Sequence, residues 1–380
     1  MDEVSLVVAP AEGRPLVFPV QELAGIAGDG YSLELAVPGG TRPAGDTKGG
    51  TAQPHLSLSK LGAEGPTLLD ALQRSWLVAR ARALRLGGSG EAKPFSGLIA
   101  GQTVAGRDGG APEPFRALLF EDVMLIARDG RDLDPLFVAL TETVSFDKDA
   151  YAVQVTEWPG WRLVFSRLAK QTEDFLESLR ENRKRLADEA GTVLASSVPS
   201  LPGALRGILA GDWPPGRLRT VEDLNGLCPG FEQALRGTWL PGCIRRLEAE
   251  YLLEWAGPAG SWVGCSRETN ETGDGLLWLL AGRNDIWFLE ALTGEDRATY
   301  HFAGANEMPP LVSRLLCAPQ FSKEALYAPL EMLTGDRADL AIAAQFVGFL
   351  VDLRARFKDR VIHASPEGWR ADMEAIVSSL

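Results

Sequence analysis

Histidine is the scarcest of the chemistry-bearing residues: 3 occur in 380, at His55, His301 and His363. The sequence pattern puts them before a strand, within a strand and after a helix. No HxH or HxxxH spacing links them, so no metal site is expected from histidine. Cysteine is also sparse, with 4 in all: Cys228, Cys243, Cys265 and Cys317. None forms a CxxC pair, and each reads as a small buried apolar residue. Positive charge is in deficit, with 38 Lys and Arg against 51 Asp and Glu and a formal net charge of −13. That argues against general nucleic-acid binding, which needs a basic face to neutralise phosphates. It also excludes polybasic attachment to anionic lipid. No apolar run reaches the roughly 18 residues of a membrane helix. The longest, Leu340 to Val351, has Gln345 inside it and Asp339 and Asp352 at its ends. The opening Met1-Asp2-Glu3-Val4 lacks a positive n-region, so no export signal is expected and the chain reads as cytoplasmic, with reduced thiols.

Catalytic and nucleotide-binding frames are missing in the same way. Gly45-Asp46-Thr47-Lys48-Gly49-Gly50 is not a GxxxxGK[ST] loop, and no GxGxxG follows a strand. Gly87-Gly88-Ser89-Gly90 lacks the strand-serine-helix frame of a nucleophile elbow and reads as a linker. The acid pairs Glu121-Asp122, Glu173-Asp174 and Glu295-Asp296 read as solvated surface and helix-start charge, since adjacent residues of a strand point to opposite faces. The basic run Arg180, Arg183, Lys184 and Arg185 interleaves with Glu177, Glu181, Asp188 and Glu189 at helical spacing, as on a salt-bridged exposed face. Arg80, Arg82 and Arg85 are read likewise. The expectation is no catalytic, cofactor-binding or metal-binding residue and no enzyme.

What is present is an ordinary globular composition, 45% hydrophobic and 23% charged, with a length that suggests two or three domains. The first half repeats itself. Asp2-Glu3-Val4-Ser5-Leu6-Val7 is answered by Glu121-Asp122-Val123-Met124-Leu125-Ile126, and Pro15-Leu16 by Pro135-Leu136. Tyr31, Leu33 and Leu35 are answered by Tyr151, Val153 and Val155. Leu56 through Leu61 correspond to Leu163 through Leu168, and Leu68, Leu69 and Leu72 to Phe175, Leu176 and Leu179. Period-two alternation around Leu33 and Val153 predicts half-buried strands. Gly28-Asp29-Gly30, Asp147-Lys148-Asp149 and Pro159-Gly160 predict the turns. The period then becomes helical, with a start at Thr172. Phe95–Ala100 and Phe115–Phe120 supply two further strands ahead of the second copy.

This order resembles the pleckstrin-homology superfold, a curved antiparallel sheet capped by one C-terminal helix. The resemblance is one of element order, over about residues 1–86 and 94–190, and its bacterial-type reading rests on the high Gly, Pro and Ala content. It implies α+β tandem antiparallel-sheet units, the first incomplete and leaning on its neighbour. The expected division is 1–90, 91–195, a helical connector at 196–245, and a β-meander plus helices at 246–380. Strands are expected at 249–255, 262–266, 276–281, 286–292 and 298–302. Helices are expected at about 306–317, 322–333 and 337–358, which leaves open a third unit of the same kind.

Such folds commonly bind peptides, proteins or lipid head groups. Here the loop between the leading strands holds only Arg107 among Gly, Asp and Ala, which disfavours phosphoinositides. The resemblance therefore implies a non-catalytic protein-binding scaffold with an unknown protein partner, and the net negative charge points to a basic one. Edge-strand addition is the expected mode. A small-molecule sensor or enzyme is the alternative, with Trp255, Trp287 and His301 lining a pocket between the 246–305 meander and the C-terminal helices. Core packing is the competing role for those aromatics. The stripe Leu340, Ala344, Val347, Gly348 and Val351 is expected to dock inside the chain or to form a homodimer face.

Overall fold

The computed structural model describes residues 5–8, 14–28, 31–36, 55–84, 86, 92–103, 111–128, 135–140, 143–149, 151–157, 161–197, 207, 213, 217–235, 246–269, 275–293, 298–304, 307–317 and 323–378. The Gly45–Gly50 and Gly87–Gly90 segments, Arg85, Arg107, Pro159-Gly160 and Cys243 lie outside the described residues. The fold class is α+β, with several antiparallel sheets, none closed into a barrel. The chain forms two compact units, residues 1–180 with 330–348, and residues 181–329 with 349–380.

The first unit opens with a two-stranded ribbon, β1 (Ser5–Val8) and β2 (Leu16–Pro19). A three-stranded sheet follows, β3 (Gly25–Gly28), β4 (Ser32–Ala36) and β5 (His55–Ser59), and then helix α1 (Gly65–Ala83). In β4, Leu33 and Leu35 are fully buried while Glu34 is exposed, as period-two alternation requires. Helix α1 is clamped to the chain before β3. The Trp76 indole donates to the Leu23 carbonyl at 2.9 Å, and Arg80 donates to the Gln21 carbonyl at 2.9 Å and to Leu23. Arg80 is wholly buried, with its guanidinium 5.3 Å from the Trp76 ring. This corrects the reading of Arg80 as part of an exposed basic face: local charge spacing cannot show that two carbonyls wait inside.

A seven-stranded sheet comes next: β6 (Lys93–Thr103), β7 (Glu113–Leu119), β8 (Val123–Arg128), β9 (Leu136–Ala139), β10 (Thr143–Asp149), β11 (Ala152–Glu157) and β12 (Trp161–Ser166). Their spatial order is β9-β8-β7-β6-β12-β11-β10, so the first strand pairs with the last. Strand β6 makes that possible by its length. Its residues 93–99 pair with β7 and residues 98–103 with β12. At the hand-over sits Gly97, where a Cβ would lie 2.5 Å from the Ser166 carbonyl oxygen. Helix α2 (Thr172–Ser197) follows β12 and starts at the expected threonine. Its Phe175 meets Phe95 and Phe165 edge-to-face at 4.8 and 5.1 Å. Asp147-Lys148-Asp149 is not a turn. These residues end β10, paired with Gln154, Val153 and Ala152, because the neighbouring strand extends their ladder.

The elements of residues 5–83 run in the order of those of residues 123–197: a pair of strands, three further paired strands, a 3-10 turn and a long helix. The backbone agrees in detail. Lys60 and Gly62 before α1 have φ of 62° and 63°, and Arg167 and Ala169 before α2 have φ of 54° and 52°. Three of those four residues carry a Cβ in the left-handed region, which costs about 1 kcal/mol each. Helix α1 also packs on β7 and β8. Arg116 of β7 donates to Asp70 at 2.5 Å and to the buried Gln73 at 2.6 Å.

The second unit is built on a six-stranded antiparallel sheet in sequence order: β13 (Arg219–Thr220), β14 (Ser261–Thr269), β15 (Gly275–Arg283), β16 (Ile286–Ala291), β17 (Ala298–Ala303) and β18 (Phe357–Ile362). Around it run α3 (Val221–Leu227), α4 (Phe231–Leu235), α5 (Arg246–Ala256), α6 (Met308–Cys317) and α7 (Glu324–Tyr327). Thr220 caps α3 by accepting from the Asp223 amide at 3.0 Å.

Three expectations need correction here. Residues 249–255 form helix α5, not a strand, because Ala249, Leu252 and Leu253 bury one helical face and the run is rich in Leu, Glu and Ala. The expected 337–358 helix is two, α8 (Ala338–Phe346) and α9 (Gly348–Arg356), followed by β18. Val347 between them is extended, at φ −100° and ψ 110°. His363 accordingly follows a strand rather than a helix. In the stripe, Leu340, Ala344 and Val347 are buried and Val351 is exposed. Helix α8 packs on α1, both in the first unit. The chain closes with α10 (Pro366–Ser378), which packs on β18.

Candidate functional site

Strand β16 reads Ile-Trp-Phe-Leu-Glu-Ala, and all six residues are buried. Such a strand places a carboxylate, Glu290, at 0% exposure. Its surroundings are polar in a specific way. Thr299 of β17, also at 0% exposure, donates its hydroxyl proton to Glu290 Oε2. The Trp369 indole of α10 donates to Thr299 Oγ1 at 2.8 Å. His363 Nε2 lies 3.0 Å from Thr299 Oγ1 and 3.3 Å from Glu290 Oε2. On the other side of the ring, His363 Nδ1 faces Glu248 Oε1 of α5 at 3.5 Å.

Burial pushes the Glu290 carboxyl above its ordinary range. The bonds from His363 and Thr299 pull the other way, and the like charge of Glu248 adds to the rise. A carboxylate–imidazole–carboxylate line thus crosses the core, its inner end walled by apolar strands and its outer end reaching a surface cavity.

That cavity has a volume of about 300 Å³ and lies between α5 and the start of α10. Glu248, Tyr251, Glu254, Glu367, Trp369 and Arg370 are among its walls. Tyr251 and Trp369 meet edge-to-face at 5.5 Å. Arg370 pairs with Glu374 at 2.9 Å and holds its guanidinium 5.7 Å from the Tyr251 ring.

Trp255 and His301, named as pocket residues from sequence, lie on the same side of the sheet as this cluster. Both rings pack on Phe288, each at 5.1 Å. His301 pairs with Phe288 across β16 and β17 and is two residues along from Thr299. Burial holds the His301 imidazole below its usual range, Asp359 opposes the shift and Lys358 adds to it. Trp287, one residue from Phe288, faces the other side. It packs on Gly282, where a Cβ would lie 2.2 Å from its ring, and donates to the Gly304 carbonyl at 2.9 Å. Neither Trp255, Trp287 nor His301 is a wall of the cavity described above.

Of these residues the sequence singles out only His363, as one of 3 histidines, while Glu248, Glu290, Thr299 and Trp369 sit in no motif. One signal was available: a glutamate inside an otherwise apolar strand. Cys228 and Cys265 are free and buried, as expected, and burial pushes the Cys265 thiol up to about 12. Among the described residues no cluster of His, Cys, Asp or Glu has the arrangement of a metal site. No described helix is long and apolar enough to cross a membrane.

No protein-family model matches the chain, and no curated protein matches it. Among solved structures, it is similar to one described as "Autoinhibited Vav1", with 18% identity and a TM-score of 0.21. The match covers 36% of this chain and 29% of that one, under a third of the Vav1 chain's length. A superposition of that quality does not define a shared fold.

Proposed function

We propose that this protein is a non-catalytic interaction module built from tandem pleckstrin-homology-like units, which captures an extended segment of a basic partner protein along strand β10. The tandem reading is supported by the parallel element order of 5–83 and 123–197, and the fold reading by the β9-β8-β7-β6-β12-β11-β10 sheet followed by α2. The segments 1–90 and 91–195 are then two copies, the first without counterparts of β6 and β7 among the described residues.

The observation that carries the binding mode is the contrast between the two outer strands of the large sheet. Strand β9 is buried along Phe137, Val138 and Ala139. Strand β10 is exposed at Asp147, Lys148 and Asp149, and among the described residues it pairs only with β11. An open edge supplies backbone donors and acceptors to an incoming strand, and side chains along it set the preference. Lys148 is held by Glu173 of α2, which leaves Asp147 and Asp149 as the charges that select a basic segment.

A display library of unstructured basic peptides provides the test. The selected peptides slow amide hydrogen exchange in β10, and D147K/D149K weakens them by roughly tenfold or more. Peptides that protect another region, or that bind the double variant equally well, would refute this reading.

A further inference from the structure

The cavity between α5 and α10 has a chemistry that the interaction reading does not use. Four carboxylates, Glu248, Glu250, Glu254 and Glu367, border it against one cation, Arg370. Carboxylates alone on a surface define nothing, because water solvates them well. Here two further observations matter. Glu248 is 7% exposed, with a side chain at 9%, yet it borders the cavity. His363 Nδ1 stands 3.5 Å from Glu248 Oε1, beyond a normal hydrogen bond, and that nitrogen is buried without one. Glu248 therefore lines the cavity with a side chain that is mostly buried. The second observation is the aromatic wall. Tyr251 and Trp369 stand edge-to-face beside that carboxylate, and the chain's own Arg370 guanidinium already lies over the Tyr251 ring.

Carboxylates and aromatic rings lining one cavity are the combination that attracts an organic cation. The ring quadrupole draws the positive group, and a partly dry site strengthens the attraction. About 300 Å³ accommodates a small ammonium or guanidinium head. We propose that this cavity is a binding site for an organic cation, with Glu248 as counter-ion, Tyr251 and Trp369 as its aromatic wall, and Arg370 as an internal competitor for the Tyr251 face.

The shared chemistry is an ammonium or guanidinium group, carried either by a free small molecule or by a side chain of another polypeptide. The full-length protein is titrated by ligand-observed NMR and calorimetry with choline, with free arginine, and with a blocked tripeptide carrying a central arginine. The neutral isostere of choline, 3,3-dimethylbutan-1-ol, is the control. The expected result is saturable binding of a cation, with the neutral isostere at least about tenfold weaker. Y251L weakens the cation by roughly threefold to tenfold, and R370A strengthens it by removing the competitor. E248Q removes most of the binding. Should E248Q fail to fold, the surface variants Y251L and R370A, which shift affinity in opposite directions, carry the same test.

Tighter binding of choline or free arginine assigns the site to a free amine, and tighter binding of the tripeptide assigns it to a polypeptide side chain. Both orders support a cation site. Equal binding of the neutral isostere, no binding of any cation at about 10 mM, or affinities indifferent to both Y251L and R370A would overturn the proposal. None of these results bears on β10, which lies in the first unit.

Discussion

At the scale of single residues, the chain stores its unusual chemistry in a few buried polar groups. Glu290 is the clearest. Its raised carboxyl pKa means the folded state holds a proton that the unfolded chain releases earlier as pH rises. The stability from that proton is fully present below the ordinary glutamate value, about 4.3, and is lost as pH rises through the folded value. E290Q keeps the shape and removes the titration. Thermal melts of E290Q should therefore lose less stability between pH 5 and pH 8 than melts of the wild type, and an identical slope would remove Glu290 from the account. Cys265 makes a second residue-scale prediction. With its thiol raised to about 12 and no exposed surface, it should resist iodoacetamide at pH 8 in the native protein and react once urea unfolds the chain. Rapid native labelling at Cys265, read by mass spectrometry, would contradict its burial.

At the scale of elements, the pattern of the chain was legible where periodicity is strong and misleading where it is short. Leu33 and Leu35 alternate with polar neighbours, so β4 could be read, and the Leu69-Leu72-Trp76 spacing marked α1. Residues 249–255 are ambiguous by pattern for a definite reason. A short run of Leu, Tyr and Trp fits a buried strand as well as a helix, and only the packing of Ala249, Leu252 and Leu253 decides between them. Val347 shows the converse: an apolar helical stripe broken by one extended residue. Element contacts also yield predictions. At Gly282 a Cβ would enter the Trp287 ring, so G282A should cost about 1–3 kcal/mol through overpacking, measurable as a lower denaturation midpoint. Between α1 and β7, R116A removes bonds to Asp70 and Gln73 and should cost roughly 1–3 kcal/mol. Burial acts to raise the Asp70 carboxyl, but the Arg116 bond and charge, helped by Arg74, bring it below its ordinary value. That contribution is present above the ordinary aspartate value and is lost as pH falls through the folded one. The gap between wild type and R116A should therefore narrow in acid.

At the scale of the whole molecule, the chain is not a simple string of domains. Residues 330–348 return to the first unit, where α8 packs on α1 and Ile342 packs against Ala24 and Ala36. Leu340 is 2% exposed in that helix. L340D would bury a charge and should destabilise the first unit by several kcal/mol. Hydrogen exchange should then rise in α1 while the β14–β17 sheet stays protected, and unchanged protection of α1 would show that α8 contributes little there.

The α+β class, the net negative charge, and the strands around Leu33 and Val153 with the helix starting at Thr172 were all readable from the sequence. Each of these follows from composition or from periodicity within a dozen residues, which one chain displays directly. Tertiary structure decided what periodicity cannot carry. It sent Arg80 inward to backbone carbonyls and brought the segment 330–348 back to the first unit. It also drew Glu248, Glu290, Thr299, His363 and Trp369 from separate elements into one polar line. A buried carboxylate is tolerated only where distant donors meet it, and no local pattern announces where distant donors will be.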